Sequence, residues 1–284
     1  MEKLTVLGGH GFVGSCFVKN TPNMINDISI KYVNERNDYS VATADVLYFI
    51  STTHNYHVFT DTHIDIDTNL KVLVNVLENW RKYQLLSGEK GTFNFVSSWF
   101  VYGDGPIPAT EEQVCNPKGF YSITKRAAEQ LLISYCETFD LNYRILRLAN
   151  VIGEKDPRAS AQKNALQYMI NLMKEGEPIE LYDRGDFYRD YIHVRDCVRA
   201  IGLVLYKGNK NEIYNIGNGI PIKFFDAIDI AHNRTGYKSV IRNIDQKDFH
   251  KKVQVKSFYM DNSKLKSLGY KQSYCLDDMI RGMI

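Results

Sequence analysis

The chain has 284 residues and a formal net charge of +2, with 44% hydrophobic and 24% charged residues. This balance is typical of a globular protein and excludes a wholly disordered chain. The small net charge provides no strongly basic surface, so neither nucleic acid nor a membrane is an expected partner, and an anionic ligand must be held by local groups.

Cysteine usage bears on the compartment. The five cysteines are an odd number, lie far apart and include no C-x-x-C pair. We therefore expect no disulfide framework or cysteine zinc site, and a reducing, cytoplasmic location. The first apolar run begins at Leu4, almost at the initial methionine, so no signal peptide is expected. The purest apolar stretch, residues 46–50, is too short to span a bilayer.

The first half alternates short apolar runs with helical patterns, which is typical of βαβ units in a parallel sheet. Helices are predicted from residue 14 to about 22, over 69–80 and over 121–138, the second with apolar residues at helical spacing. Strands are predicted at 4–7, 28–33, 46–50, 92–96 and 143–148.

The pattern changes after Asn150. Glycine and proline interrupt the chain more often there, and helices and strands no longer alternate regularly. We therefore expect an α/β fold with a Rossmann-type doubly wound parallel sheet over 1–150 and a smaller α/β substrate-binding lobe over 151–284. No linker separates the two parts, so they should share a cleft.

A glycine motif, Gly8-x-x-Gly11-x-x-Gly14, lies between the first predicted strand and helix. In this context the first glycine permits a tight turn, the second lets the backbone approach a pyrophosphate, and the third lets helix and strand pack closely. The position favours a dinucleotide site that includes Phe12 and Val13 over an ordinary glycine-rich turn. A P-loop is excluded because no Gly-Lys-Ser/Thr follows.

The end of the second strand bears on which dinucleotide is bound. It is followed by Asn34, Glu35 and Arg36, which we take as candidate cofactor contacts. An acid there suits the ribose hydroxyls of NAD, and an arginine suits the additional phosphate of NADP. Glu35 favours NAD and Arg36 favours NADP, so the sequence does not decide between the two cofactors.

A second constellation follows. Ser98 closes one predicted strand, and Tyr121 and Lys125 open the next long helix four residues apart, on one helical face. A phenol titrates near about 10, and a nearby ammonium and a positively charged nicotinamide lower its pKa toward neutrality. Tyr121 can then exchange a hydroxyl proton, and the Ser98 hydroxyl can hold the same substrate oxygen. The alternative is that Tyr121 and Lys125 lie on a solvated helix face without a catalytic role. The order of glycine loop, strand ending in serine and Tyr/Lys helix along the chain disfavours it.

These motifs resemble those of the extended short-chain dehydrogenase/reductases, the group of nucleotide-sugar epimerases, dehydratases and reductases. The matching segments are 8–14, 45–46, 51–54, 65–69, 97–103, 121–125, 147–153, 189–194 and 214–217. Each is weak alone, and the set in this order is specific.

The resemblance implies roles for particular residues. Ser98, Tyr121 and Lys125 correspond to the catalytic triad, with Tyr121 and Lys125 also touching the cofactor. Ser51 and Thr52 stand where two alanines commonly lie beside the nicotinamide ribose. The substrate contacts it implies are Thr53, Ser98, Trp99, Phe100, Asn150 and Arg189, of which Asn150 and Arg189 match contacts to the substrate diphosphate. A salt bridge to Asp186 or Asp190 is the alternative for Arg189.

Besides the Ser51-Thr52-Thr53 segment in place of the alanine pair, one more departure from the family pattern and one difference from its dehydratases stand out. About thirty residues separate Gly14 from the third strand, shorter than usual by a helical unit, so the adenosine end of the cofactor site is expected to be trimmed. Dehydratases of the family place Asp and Glu directly after the catalytic Ser/Thr, where this chain has Trp99 and Phe100. We therefore expect no 4,6-dehydration.

A metal site is not expected. His54, His57 and His63 lie near three aspartates, yet none of these histidines has the i, i+4 spacing with an acid that marks a zinc helix.

A homodimer is expected. The helices predicted over 69–80 and 121–138 carry more apolar residues than one buried face needs, and their counterparts in the family pair with each other.

The favoured function is a redox-neutral nucleotide-sugar epimerase that holds NAD or NADP. The alternative within the same chemistry is an NADPH-dependent reductase of a 4-keto nucleotide-sugar. A cofactor-sensing regulator without catalysis is the alternative from another class, and it is disfavoured because Ser98, Tyr121 and Lys125 are all present.

Overall fold

The computed structural model describes residues 2–24, 28–35, 37–154, 156 and 159–284. Its strands are β1 Glu2–Leu7, β2 Ile28–Val33, β3 Asp45–Tyr48, β4 Thr92–Ser98, β5 Asn142–Leu148, β6 Asn150–Ile152, β7 Ile179–Tyr182, β8 Tyr188–Arg189, β9 Tyr191–His193, β10 Glu212–Ile216, β11 Ile222–Lys223 and β12 Ile241–Ile244. Its helices are α1 Phe12–Met24, α2 Ile64–Ile66, α3 Val72–Ser87, α4 Phe120–Phe139, α5 Ala165–Glu175, α6 Val194–Lys207, α7 Phe224–Arg234, α8 Asp248–Val253, α9 Ser263–Ser267 and α10 Leu276–Met283.

The central layer is a six-stranded sheet in the order β10-β5-β4-β3-β1-β2. Its neighbouring strands are paired in parallel throughout. The predicted α/β class and parallel sheet are thus confirmed. Strand β1 has β2 on one side and β3 on the other, so the strand order reverses there, and a crevice opens beyond the carboxyl ends of the strands.

Helices cover both faces of the sheet, as doubly wound sheets require. Along β3 the side chains alternate: Leu47 packs with residues of α1 and α6, whereas Val46 and Tyr48 pack with residues of α3 and α4. Because successive strand residues point to opposite faces, one short apolar run supplies both cores.

The lobe has its own core, built from α5, β7, α7 and α10 around Ile170, Leu181, Ile228 and Ile280. The two-stranded pairs β6-β9, β7-β12 and β8-β11 frame it. However, β10 and α6 follow the lobe's first elements and return to the central layer. The sheet therefore crosses the boundary predicted near residue 150.

Several predicted bounds shift. The strand predicted at 28–33 has those bounds, whereas the one predicted at 46–50 is β3, Asp45–Tyr48. The helix predicted over 69–80 is preceded by a π-helical turn, Asp67–Lys71, and continues as α3 to Ser87. The turn coincides with the buried Asn69, whose amide is bonded across the fold instead of facing solvent. No helix among the described residues is long and apolar enough to cross a bilayer.

Candidate active site

A cleft of about 940 Å³ opens where the carboxyl ends of the sheet face the lobe. Residues from both halves of the chain line it. The predicted site residues among them are Gly8, Gly11, Phe12, Val13, Gly14, Ser51, Thr52, Thr53, Ser98, Trp99, Phe100, Tyr121, Lys125, Asn150 and Arg189. The fold thus brings together predicted site residues that are up to 181 positions apart in the sequence, from Gly8 to Arg189.

The glycine loop forms one wall. Gly8 has φ +84°, and a Cβ there would lie 2.9 Å from the Ile50 nitrogen; a Cβ on Gly14 would lie 2.4 Å from the Gly8 oxygen. The turn itself therefore requires these two glycines. A Cβ on Gly11 would meet nothing closer than the Gly8 oxygen at 3.5 Å. Internal packing does not explain Gly11, whose bare backbone at the start of α1 fits the close approach of a pyrophosphate.

The predicted contacts at the end of β2 are arranged differently. Asn34 is buried, accepts the Gly8 N–H at 2.7 Å and donates to the carbonyls of Glu35 and Asp38. It therefore shapes the glycine loop and does not line the cleft. Glu35 is exposed and also lies outside the cleft lining, and Arg36 lies outside the described residues. This strand end does not discriminate between NAD and NADP.

The helix that carries Tyr121 begins at an unusual cap. Gly119 is the N-cap of α4, with φ +81°, and it has no side chain that could cap the helix. Instead the Asn55 Oδ1 accepts the backbone N–H of Ser122 at 3.3 Å, and the Asn55 Nδ2 donates to the Ser122 hydroxyl at 3.1 Å. A Cβ on Gly119 would lie 2.5 Å from that Asn55 oxygen. A residue 67 positions away therefore caps the first turn of the helix that carries Tyr121.

Tyr121 and Ser98 meet at the floor of the cleft. Ser98 ends β4, and its hydroxyl accepts the Phe100 N–H at 3.3 Å. Burial raises the pKa of Tyr121 to about 12, and a hydrogen bond with Ser98 opposes that rise. The sequence led us to expect a lowered pKa. Burial outweighs the hydrogen bond because it penalises the phenolate, and the charge of Asp65 adds to the rise.

Lys125 lies one helical turn further along α4. Its Nζ donates to the Val96 carbonyl at 2.7 Å and lies 4.0 Å from the centre of the Phe95 ring. Burial lowers the pKa of Lys125 to about 7, although the charge of Glu129 raises it. At neutral pH the ammonium is therefore only partly populated, which limits how far it can favour the Tyr121 phenolate.

A buried ion pair fixes α4 against the sheet. Arg147 on β5 donates to both carboxylate oxygens of Glu129, at 3.0 and 2.8 Å, and the Ser97 hydroxyl donates to the same carboxylate at 2.6 Å. These bonds join α4, β4 and β5 in the low-dielectric interior, where such networks are strong. They hold Tyr121 and Lys125 in register with Ser98.

The segment after β3 carries a polar network at the predicted nicotinamide ribose position. The Asn69 Oδ1 accepts from the Ser51 hydroxyl at 3.0 Å and from the Thr52 N–H at 2.9 Å, and its Nδ2 donates to the Thr52 and Thr124 hydroxyls. The Thr52 hydroxyl also donates to the buried Asp65 carboxylate. Ser51 and Thr52 therefore line the cleft, and their hydrogen bonds to Asn69 fix their orientation. Thr53 also lines the cleft and is exposed to solvent.

On the lobe side, Arg189 and Asn150 lie at the cleft as predicted. Arg189 donates to the carbonyls of Tyr188, Lys256 and Val255, and among the described residues no carboxylate lies within ion-pair distance of it. The alternative of a salt bridge to Asp186 or Asp190 is not seen. Burial lowers the pKa of Arg189 to about 10, so it remains a cation at neutral pH and fits a phosphate.

Trp99 and Phe100 both line the cleft but differ in burial. Trp99 is buried and stacks on Phe258, with ring centres 4.7 Å apart. Phe100 is half-buried, stacks on Trp99 at 4.0 Å and meets Tyr121 edge to face at 5.9 Å. Phe100 therefore presents an apolar surface beside Tyr121.

Sequence reasoning missed several polar residues of the lobe and the loop after β3. The cleft is also lined by Asn55, Tyr56, Lys163, Arg242 and His250, which no motif singled out. The Tyr56 hydroxyl oxygen and the His250 Nδ1 are 2.7 Å apart and connect the two halves of the chain.

Two of the histidines considered as metal ligands, His54 and His57, stack on each other with ring centres 3.9 Å apart. Within the described residues, no cluster of three potential ligands could hold a metal ion.

Comparisons with known proteins agree with this geometry. The family model described as NAD dependent epimerase/dehydratase matches residues 42–217. The chain is 27% identical over 335 aligned residues to dTDP-glucose 4,6-dehydratase of Salmonella typhimurium, covering 98% of this chain and 91% of that one. It is 30% identical over 222 residues to a putative UDP-glucose 4-epimerase of Methanocaldococcus jannaschii, covering 78% of this chain and 69% of that one.

Solved structures share the fold. UDP-glucose 4-epimerase of Thermotoga maritima, solved with UDP-glucose, has a TM-score of 0.85 at 23% identity and covers 99% of this chain and 97% of that one. RMD from Pseudomonas aeruginosa, complexed with NADPH, has a TM-score of 0.84 at 22% identity and covers 100% of this chain and 98% of that one.

Proposed function

The chain belongs to the NAD dependent epimerase/dehydratase family, and we propose that within it the chain is a redox-neutral nucleotide-sugar epimerase. The observation that carries the proposal is the meeting of the glycine loop, Ser98, Tyr121 and Arg189 in one cleft. A dinucleotide cradle, a proton-exchanging group and a phosphate-binding cation are the three parts that oxidation of a nucleotide-sugar hydroxyl requires.

Each part has its own residues. Gly8, Gly11 and Gly14 with the start of α1 hold the dinucleotide phosphates, and Ser51 and Thr52 lie at the ribose. Tyr121 takes and returns the proton of the sugar hydroxyl, while Ser98 holds the same oxygen. When bound, the nicotinamide accepts hydride from the sugar carbon and gives it back. Arg189 and Asn150 hold the diphosphate.

Lys125 completes the arrangement electrostatically. Its ammonium lies on the same face of α4 as Tyr121, and its charge favours the phenolate over the phenol. Since burial brings the pKa of Lys125 to about 7, a bound ligand that adds negative charge nearby restores the ammonium and, with it, the preference of Tyr121 for the phenolate form.

The alternative is an NADPH-dependent reductase of a 4-keto nucleotide-sugar. One comparison favours it, since the structure of RMD carries NADPH. Both functions use the same proton-exchanging pair, so Ser98 and Tyr121 cannot separate them. They differ in the cofactor balance: an epimerase returns each hydride, whereas a reductase consumes one NADPH per turnover.

The experiment that tests the proposal identifies the cofactor released on denaturation and follows turnover. We expect mass spectrometry to find NAD⁺ and incubation with UDP- or dTDP-hexoses to give an epimer without net change in absorbance at the nicotinamide band. A protein that releases no dinucleotide and oxidises added NADPH in the presence of a 4-keto nucleotide-sugar would instead be the reductase.

A further inference from the structure

We infer that this enzyme selects a 6-deoxy nucleotide-sugar, in which a methyl group replaces the hydroxymethyl group next to the reacting carbon. The inference rests on the proposed function and concerns the wall of the same cleft. It is carried by the aromatic pair Trp99 and Phe100, which directly follows the catalytic Ser98.

The aromatic pair continues into a larger apolar stack. Phe100 lies on Trp99 at 4.0 Å, Trp99 lies on Phe258 at 4.7 Å, and Phe258 lies on Tyr102 at 5.7 Å. Trp99, Tyr102 and Phe258 are buried, so the outer ring, Phe100, has little freedom to turn away. The stack therefore presents a fixed apolar surface to the cleft.

This surface lies beside the reacting atoms. The Phe100 and Tyr121 ring centres are 5.9 Å apart at an interplanar angle of 80°. A sugar oxygen bonded to Tyr121 lies about 3 Å from the phenol oxygen, so substituents on the neighbouring sugar carbons reach the Phe100 ring. In the proposed mechanism both the Ser98 and the Tyr121 hydroxyls bind the reacting oxygen, and the Phe100 ring is the apolar surface beside them for the adjacent group.

A hydroxyl placed against that ring would give up water without gaining a partner. Such a loss disfavours the oxygenated ligand, whereas a methyl group gains apolar contact. We take C4 as the reacting carbon, as in the UDP-glucose 4-epimerases to which the chain is similar. Of the two carbons beside C4, C5 bears the substituent that becomes wholly apolar by loss of one hydroxyl. The chemistry of the wall therefore matches a C6 methyl group, and a discrimination of about ten- to a hundredfold is expected.

Arg189, the cation assigned to the diphosphate, also lies near Trp99. The Arg189 guanidinium lies 5.5 Å from the Trp99 ring centre and 4.5 Å from that of Phe187. One aromatic stack thus connects the cation assigned to the diphosphate with the ring assigned to the sugar. This arrangement orients a nucleotide-sugar so that the far side of its hexose meets Phe100.

The experiment compares matched ligands by calorimetric binding to the holoenzyme: UDP-glucose with UDP-6-deoxyglucose, and dTDP-glucose with dTDP-6-deoxyglucose. We expect the 6-deoxy member of the pair that binds to have a Kd lower by about tenfold or more. Phe100→Thr, which offers a hydroxyl in place of the ring, should reduce that ratio to within about threefold of unity. Phe100→Leu is the matched control, since it keeps the wall apolar and should keep most of the ratio.

Equal affinities for both members of each pair, or a ratio that Phe100→Thr leaves unchanged while its thermal midpoint stays like that of Phe100→Leu, would overturn the inference. Failure of the proposed function looks different. A preserved binding preference without epimerised product would remove the epimerase and keep the 6-deoxy specificity, because the measurement is of binding and not of turnover.

Discussion

Lys125 donates through Nζ to the main-chain carbonyl of Val96 at 2.7 Å, from a position almost fully removed from solvent. The bond joins the catalytic helix to the strand that ends at Ser98. Burial brings the pKa of this lysine to about 7, well below the ordinary lysine value near 10.5. Folding therefore opposes the charged form of Lys125, and the stability of the fold must depend on pH through this residue.

The first prediction follows from that linkage. The penalty for the ammonium is absent above about pH 10.5, where neither state is protonated, and complete below about pH 7, where both are. Relative to Lys125→Met, the wild type should therefore gain about 2 kcal/mol of unfolding free energy between pH 7 and pH 9. Urea unfolding at the two pH values measures this difference. A difference that stays constant within about 0.5 kcal/mol would place the lysine pKa near its ordinary value.

The second prediction concerns the phenol. Tyr121→Phe should lower kcat by at least about a hundredfold while cofactor and substrate affinity change little, because the hydroxyl acts mainly in the transition state. Steady-state kinetics and cofactor titration measure the two effects. Tyr206→Phe is the control, since that tyrosine is exposed on α6 away from the cleft. Activity of Tyr121→Phe within about tenfold of wild type would remove Tyr121 from the mechanism.

The third prediction is that the protein does not catalyse 4,6-dehydration, although similar proteins include dTDP-glucose 4,6-dehydratases. Elimination of water needs an acid and a base besides the tyrosine, and Trp99 and Phe100 cannot exchange protons. Asp65 is a nearby carboxylate, but it is buried, bonded to Thr52 and outside the cleft lining.

Incubation with NAD⁺ and a panel of nucleotide-hexoses, beside a dehydratase as positive control, tests this third prediction by mass. We expect products of unchanged mass. Appearance of a 4-keto-6-deoxy product, lighter by one water, would contradict it and move the proton-transfer roles to other residues.

The fourth prediction is a homodimer through α3 and α4. Val74 on α3 is 40% exposed, and Ile123 and Leu131 on α4 are 51% and 42% exposed. These apolar side chains suit a four-helix contact across a two-fold axis. Sedimentation at micromolar concentration should show a species of twice the chain mass, and Leu131→Glu should shift it to the monomer.

Val240→Glu supplies the control for the dimer, because Val240 is 60% exposed on the lobe, outside both helices. It should leave the dimer intact. A wild type that sediments only with the mass of one chain would count against the interface altogether.

Much of the central layer could be read from local patterns. The strand Ile28–Val33 follows from one apolar run, and the glycine spacing of 8–14 marks the turn between β1 and α1. Tyr121 and Lys125 share a helical face because helix geometry alone places residues four apart together. Such features depend on neighbours along the chain, so a single sequence contains the information for them.

Contacts between distant segments required the folded chain. Asn55 caps α4 from 67 positions away, and nothing in either segment predicts that pairing. Both Trp99 and Phe100 line the cleft, but Trp99 is buried and Phe100 is half-buried, although the two are adjacent aromatic residues. The pKa of Lys125 falls to about 7 because the surrounding layers exclude water, where its spacing from Tyr121 suggested an ordinary ammonium. Burial and electrostatics sum over atoms from all parts of the chain, which is why spacing predicts the candidate site residues, whereas packing decides their protonation and orientation.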